Sequence, residues 1–303
     1  MTSALRAHWP ECLIEAAGLG AFMLSACGFG VLLFHPDSPA CSALGSDLAR
    51  RVVMGAAMGA TAVAIIYSPW GQRSGAHINP STTLAFLRLG KVRRADAVFY
   101  IAAQFVGAVA GVAVSWAVLG GRLAHPSTNF VATVPGPAGA LVAFVAEVAI
   151  SFLLMTVVLS VSSSRFQRLT GLCAGILVAL YITLEAPVSG MSMNPARSLG
   201  SAVFADGAFT PLWIYFLGPP LGMQLAAALV PAGARHGCAK LDHPPDRPCI
   251  FCGQGGPTQS APAQAQLRVA SSRSLGALHG RDSREALDRG GASRPSHPRH
   301  LRR

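Results

Sequence analysis

One eleven-residue motif occurs twice in the chain, in related form. Residues 74–84 read SGAHINPSTTL and residues 189–199 read SGMSMNPARSL, at an offset of 115 residues. Asn is a strong helix N-cap and Pro suits the first helical turn, so each copy predicts a helix that begins at Asn79 or Asn194. A repeat of this kind indicates two related halves.

The sequence around the two motifs is too apolar for an ordinary soluble domain. Only 12% of the 303 residues are charged, whereas soluble domains have roughly 25%. Stretches long enough to cross about 30 Å of hydrocarbon are residues 12–34, 49–68, 95–119, 138–161, 169–185 and 211–232. The segments that begin at Asn79 and Asn194 are only about ten residues long, which suits re-entrant half-helices. We therefore predict an all-α membrane protein.

Each half of the predicted membrane domain, residues 1–232, contains two spans, a half-helix and a third span. Because three spans is an odd number, the second half (about 138–232) must enter the membrane in the opposite sense to the first (about 10–120), as an inverted repeat. Basic residues mark two short loops as cytoplasmic: Arg73, Arg88, Lys91, Arg93 and Arg94 in one, and Arg165 and Arg168 in the other. Both termini are then cytoplasmic.

The last part of the chain, residues 233–303, has a different character. From Ala232 onward twelve Lys and Arg residues accompany five Asp and Glu residues, without helical or strand periodicity, which predicts a basic, mostly disordered tail. The tail also contains four candidate zinc ligands of acceptable type, Cys238, His243, Cys249 and Cys252. Their spacing is not that of a standard zinc finger, and free cytosolic thiols are the alternative interpretation.

The inverted arrangement gives the two half-helix starts a chemical role. Facing each other near the midplane, two helix N-termini place about half a positive charge each in the bilayer centre, which opposes cations. Each Asn side chain also offers N–H donors. Water or a hydroxyl can accept those hydrogen bonds, whereas a proton-conducting chain of water molecules is interrupted there.

These motifs resemble those of the major intrinsic protein family, the aquaporins and aquaglyceroporins, over about residues 10–232. The resemblance implies that Asn79 and Asn194 are paired donors at the pore centre and that Arg197 lies at the outer constriction. Ile182 and Met191 occupy two other constriction positions, and the fourth falls on Met58 or Gly59. Strict water channels typically have His where Ile182 stands, so glycerol remains a possible solute.

The resemblance also implies which residues support the half-helices. Pro80, Ser81, Pro195 and Ala196 complete the two motifs, and polar side chains hold the loops before them: Glu15, Glu147, Gln104 and His77. A carboxylate at membrane depth needs partners of this kind. Ser81 stands where the family usually has Ala, and we expect it to add a hydroxyl to the pore wall.

The predicted function is a passive channel for water and small neutral solutes such as glycerol, excluding protons and ions. The alternatives are a glycerol facilitator with little selectivity for water and, less favoured, a coupled secondary transporter. We expect no enzymatic activity, no cofactor and no nucleic-acid partner. The resemblance implies a homotetramer in a bacterial inner or plasma membrane.

Overall fold

The computed structural model describes residues 2–229, 238, 240 and 249–252 of the chain. Six of the described helices are long and apolar enough to cross a membrane. In chain order these spanning helices are Thr2–Phe34, Asp47–Tyr67, Arg94–Leu119, Ala140–Ser162, Thr170–Leu184 and Leu212–Leu229. We refer to them as the first to the sixth spanning helix. The predicted all-α, six-span architecture is confirmed.

Two short helices follow the second and fifth spanning helices. The first half-helix is Pro80–Arg88 and the second is Pro195–Ala202, nine and eight residues long. Brief helical segments complete the connections: Pro39–Leu44, Pro69–Ser74, Gly121–Ala124 and Ala186–Ser189, with 3₁₀ turns at Asn129–Val131 and Gln167–Leu169.

The first spanning helix begins ten residues before the position that hydropathy predicts. Its early part bends at His8, whose backbone is not helical, and Pro10 follows. His8 Nδ1 lies 2.7 Å from Asp96 Oδ1, and Arg73 Nε donates to Glu11 Oε1 over 2.8 Å. Polar contacts to neighbouring segments therefore extend the helix beyond its apolar part.

The two halves interlock through their half-helices. The first spanning helix packs on the third, and the fourth packs on the sixth, so each half has its own helix pair. The first half-helix, however, packs on the sixth spanning helix, and the second half-helix packs on the third. Each half-helix is thus held by the opposite half of the chain.

The second and fifth spanning helices cross closely because glycines line their contact. A Cβ added to Gly59 would lie 2.5 Å from the carbonyl oxygen of Gly175, and one added to Gly55 would lie 2.4 Å from the carbonyl oxygen of Ala179. Small residues let membrane helices approach to this distance.

Candidate functional site

The loops before the two half-helices have the same unusual backbone. Ala76 and Ile78 have φ values of 47° and 39°, and Met191 and Met193, 115 positions later, have φ values of 51° and 53°. Positive φ is uncommon for residues other than glycine. Such a backbone persists only where its surroundings hold it. Both loops are also non-helical at membrane depth, where every backbone N–H needs an acceptor from the protein.

Glu15, on the first spanning helix, supplies acceptors for the first loop. Its Oε1 accepts from the Ser74 hydroxyl over 2.7 Å and from the His77 N–H over 3.0 Å. Its Oε2 accepts from the Ile78 N–H over 2.6 Å and from Gln104 Nε2 over 2.8 Å. One fully buried carboxylate thus satisfies two backbone donors of the strained loop.

Glu147, on the fourth spanning helix, makes the equivalent contacts with the second loop. Its Oε1 accepts from the Ser189 hydroxyl over 2.8 Å and from the Ser192 N–H over 2.7 Å. Its Oε2 accepts from the Met193 N–H over 2.7 Å. Glu147 is also fully buried, and the two carboxylates therefore have matching structural tasks in the two halves.

Two tyrosines that sequence reasoning missed complete the support of the loops. The Tyr100 hydroxyl donates to the Ser74 carbonyl over 2.9 Å, and the Tyr215 hydroxyl donates to the Ser189 carbonyl over 2.5 Å. Both rings are fully buried. The signal was present, because these tyrosines are separated by the same 115 residues as the two motifs.

Asn79 and Asn194 cap their half-helices and join the two loops to each other. The Asn79 side-chain oxygen accepts from the Ser81 N–H, and the Asn194 oxygen accepts from the Ala196 and Arg197 N–H groups. Across the interface, Asn79 Nδ2 donates to the Met193 carbonyl over 2.7 Å. Asn194 Nδ2 donates to the Ile78 carbonyl over 2.8 Å. The two half-helix tips therefore meet.

This pairing leaves a defined set of donors for a passing molecule. An amide group has two N–H donors, and each Asn uses one of them on the opposite loop. Both Asn residues line the same cavity and both retain 8% exposure. The second N–H of each is available to that cavity, between two helix N-termini that carry partial positive charge.

The cavity extends along the membrane-crossing direction. It has a volume of about 600 Å³, and its walls include Asp47 at the start of the second spanning helix and Ile66 near its end. At 1.5 Å per residue this part of the helix is about 29 Å long, close to the thickness of the hydrocarbon core. The cavity therefore has the reach of a transmembrane path.

The proposed constriction residues lie in the walls of this cavity. Arg197, Ile182, Met191 and Met58 all line it, as does His77. Arg197 Nη1 is buried and has no hydrogen-bond partner among the described residues. Three apolar side chains and one guanidinium donor thus share the cavity wall.

Two expectations change once the side chains are placed. Gly59 faces the fifth spanning helix and not the cavity, because its Cα is packed against Gly175. Of the two candidates, Met58 is therefore the one that lines the cavity. Ser81 is fully buried and lies outside the cavity wall, so its hydroxyl does not line the path as expected. It is Thr82 that lines the cavity at this turn.

The sequence profile of the major intrinsic protein family matches residues 4–230. The chain belongs to this family. It is 36% identical to aquaporin NIP2-3 from Zea mays over 206 residues, which cover 67% of this chain and 66% of the maize protein. It is also 36% identical to glycerol uptake facilitator protein-like 6 from Lactiplantibacillus plantarum over 213 residues, 69% of this chain and 92% of that protein.

A solved structure shares the fold of this major intrinsic protein. The aquaglyceroporin from Plasmodium falciparum superimposes with a TM-score of 0.60 at 19% identity, covering 73% of this chain and 94% of that chain. At this identity the likeness concerns the fold alone.

The structure brings three of the four candidate zinc ligands together, and none of these three lines the cavity. The sulfur atoms of Cys238, Cys249 and Cys252 all lie within 4.8 Å of one another. His243 lies outside the described residues.

Proposed function

We propose that this major intrinsic protein is a passive channel that conducts water and small neutral solutes such as glycerol and excludes protons and ions. The observation that carries the proposal is the reciprocal contact of Asn79 and Asn194 within a single cavity that runs along the second spanning helix. Members of the family are passive channels and not enzymes.

The exclusion of ions and protons follows from the charges at the half-helix tips. A cation at the centre would meet two helix N-termini and two N–H donors, with no acceptor to replace its hydration shell. A water molecule there accepts from the Asn donors, so its own hydrogens point away from the centre in both directions. A chain of hydrogen bonds of one polarity, which proton transfer requires, cannot continue through it.

The side chains of the outer constriction favour a path for glycerol as well as for water. Met58, Ile182 and Met191 offer apolar surface to a carbon backbone, while Arg197 offers donors to hydroxyl groups. A constriction that combines apolar side chains with a guanidinium suits a solute that has one apolar and one hydroxylated side. The similarity to a glycerol uptake facilitator-like protein supports the same solute class.

Vesicle swelling tests the proposal. Proteoliposomes first shrink in hyperosmotic sucrose, and the rate of shrinkage reports water permeability. With glycerol as the external solute, the vesicles are expected to shrink and then re-swell. The absence of re-swelling would remove glycerol from the proposal, and shrinkage at the rate of empty vesicles would remove water.

Two substitutions localise the selectivity. Ile182→His adds a polar ring at the constriction, so we expect re-swelling in glycerol to slow more than shrinkage in sucrose. Arg197→Val removes the guanidinium, so larger or charged solutes are expected to leak. Unchanged exclusion in the Arg197→Val vesicles would mean that the constriction lies elsewhere.

The assembly and topology are further parts of the proposal. Both termini face the cytoplasm, because the loops richest in Lys and Arg would then lie inside. Residues 1–232 form the channel domain and residues 233–303 a basic cytoplasmic tail. A homotetramer in a bacterial inner or plasma membrane is the assembly we propose from family resemblance.

A further inference from the structure

A short C-terminal segment, residues 249–252, packs against the loop of the first half-helix. The Phe251 ring lies parallel to the His77 ring, with centroids 5.3 Å apart and planes 7° apart. The opposite face of His77 stacks on Phe86 at 5.0 Å. Ile250 is buried in a cluster with Cys12 and Tyr100. Because His77 lines the pore cavity, this segment packs against a residue of the cavity wall.

Three cysteine sulfurs lie together here, two from this segment and one from Cys238. Cys238 Sγ and Cys249 Sγ are 3.6 Å apart, and with Cys252 Sγ they form a group within 4.8 Å. A tetrahedral zinc ion with Zn–S bonds of about 2.3 Å holds its sulfur ligands about 3.8 Å apart. A disulfide would need a separation of about 2.05 Å and would use only two of the sulfurs. The arrangement suits a shared metal ion better than a covalent pair.

The backbone around two of the sulfurs also suits thiolates. The Lys240 N–H donates to Cys238 Sγ, and the Phe251 N–H donates to Cys249 Sγ, each over 3.4 Å and each from the second residue after the cysteine. Outer-shell hydrogen bonds of this kind orient metal ligands and tune the site. The same geometry therefore recurs at two ligands from separate parts of the chain.

Two buried lysines beside the sulfurs call for a negative charge. Lys91 and Lys240 are 9% and 7% exposed. Both face the Cys238 sulfur, and Lys240 also faces Cys249 and the Glu11 carboxylate. Neither forms a salt bridge within the described part of the chain. A buried ammonium needs a compensating anion. Three thiolates around one Zn²⁺ carry a net charge of −1, which the lysines complement.

We propose that Cys238, Cys249 and Cys252 bind a zinc ion that holds residues 249–252 in the conformation in which they pack against the loop of the first half-helix. Soft thiolate ligands select zinc over the hard cations Mg²⁺ and Ca²⁺. The three sulfurs leave one position of a tetrahedral ion open. Through Phe251 the bound ion fixes one face of His77, so the metal site and the pore wall are coupled.

Metal content tests the site directly. The full chain, purified in detergent under reducing conditions, is expected to contain one zinc ion per chain by elemental analysis. Cobalt(II) exchanged for zinc is expected to give sulfur-to-metal charge-transfer absorption and the visible bands of a tetrahedral ion. Cys252→Ser is the variant of choice because Cys252 is exposed, and it should reduce the zinc content and the charge-transfer intensity.

Cys173→Ser is the matched control, since Cys173 lies on the fifth spanning helix outside the group. It should retain both signals. A chain without zinc that gives no cobalt–thiolate absorption would overturn the site, as would equal spectra for the wild type and Cys252→Ser. A Cys238–Cys249 disulfide found by mass spectrometry in the reduced preparation would overturn it as well.

The coupling to the pore is a second measurement, and it rests on the proposed channel function. Water permeability of proteoliposomes is compared before and after removal of zinc by a chelator. We expect the ratio of the water permeability after zinc removal to that before it to differ from one for the wild type. The same ratio should equal one for Phe251→Ala, which keeps the cysteines but lacks the ring. A ratio of one for the wild type would overturn the coupling. Vesicles that pass no water in either state would overturn the channel function while leaving the metal result intact.

Discussion

Glu147 holds the second half-helix loop by accepting from three donors, and Glu147→Gln changes this with almost no change in shape. Wild-type Oε1 accepts from the Ser189 hydroxyl and the Ser192 N–H, and Oε2 accepts from the Met193 N–H, all within 2.8 Å. A glutamine side chain has one oxygen and one NH₂ group. Whichever way the amide is turned, its NH₂ group faces one of the two backbone N–H groups.

The magnitude follows from that single mismatch. One buried backbone donor without an acceptor costs about 1–3 kcal/mol, which corresponds to about a 5- to 150-fold shift in the unfolding equilibrium. Unfolding by a denaturing detergent in mixed micelles measures the difference between wild type and variant. Because the Ser192–Asn194 backbone would lose a restraint, water permeability of proteoliposomes should also fall.

Glu11→Gln is the comparison variant, since it removes a carboxylate that pairs with the guanidinium of Arg73 and, among the described residues, holds no loop N–H group. The Arg73 side chain is 29% exposed and can be solvated after the substitution, so a smaller loss of stability than in Glu147→Gln is expected. A Glu147→Gln protein as stable as Glu11→Gln, with unchanged water permeability, would mean that this loop does not need a carboxylate.

Three further outcomes are expected. Gly59→Ala should destabilise the protein by about 1–3 kcal/mol, because the new Cβ would lie 2.5 Å from the Gly175 carbonyl oxygen. Gly28→Ala is the control: its new Cβ would have nothing within 4 Å, so it should be neutral or stabilising in the same unfolding assay. Burial raises the pKa of the Glu185 carboxyl from 4.5 to about 7. The stability that this shift contributes to the folded state is present below pH 4.5 and is lost as the pH rises through 7. Glu185→Gln should therefore flatten the pH dependence of the free energy of unfolding, and an unchanged dependence would contradict this. Asn194→Asp places an acceptor opposite the Ile78 carbonyl and a negative charge at the half-helix tips, so water permeability should fall and sodium leak should rise. Asn129→Asp, in a half-buried 3₁₀ turn where the side chain contacts the Asp206 carbonyl, should change neither, and equal leaks in the two variants would contradict the assignment.

The parts of the fold that local chemistry controls were predictable from the sequence. The two Asn-Pro pairs correctly predicted where both half-helices begin, because helix capping depends on the residues at the cap itself. Hydropathy found all six spanning helices, since a helix must present apolar side chains to lipid. It misplaced the start of the first one, because contacts such as that between His8 and Asp96 come from distant parts of the chain.

The details of the site depended on three-dimensional packing. The bonds from Asn79 to the Met193 carbonyl and from Asn194 to the Ile78 carbonyl join loops that are more than a hundred residues apart, and no local pattern reveals them. The sequence placed the fourth constriction position on either Met58 or Gly59. Choosing between these neighbours required knowing how the second spanning helix is rotated about its axis, and only the structure shows this. The tyrosines at 100 and 215, in contrast, followed the offset of the repeat and could have been found.

Two half-helix tips, joined through Asn79 and Asn194, are proposed to let neutral molecules pass and to break the proton path. Water permeability and proton flux measured in the same proteoliposomes test this most directly. We expect water permeability well above that of empty vesicles, with a proton flux equal to theirs under an imposed pH gradient. A proton flux that rises in proportion to the water permeability as more protein is reconstituted would contradict the account.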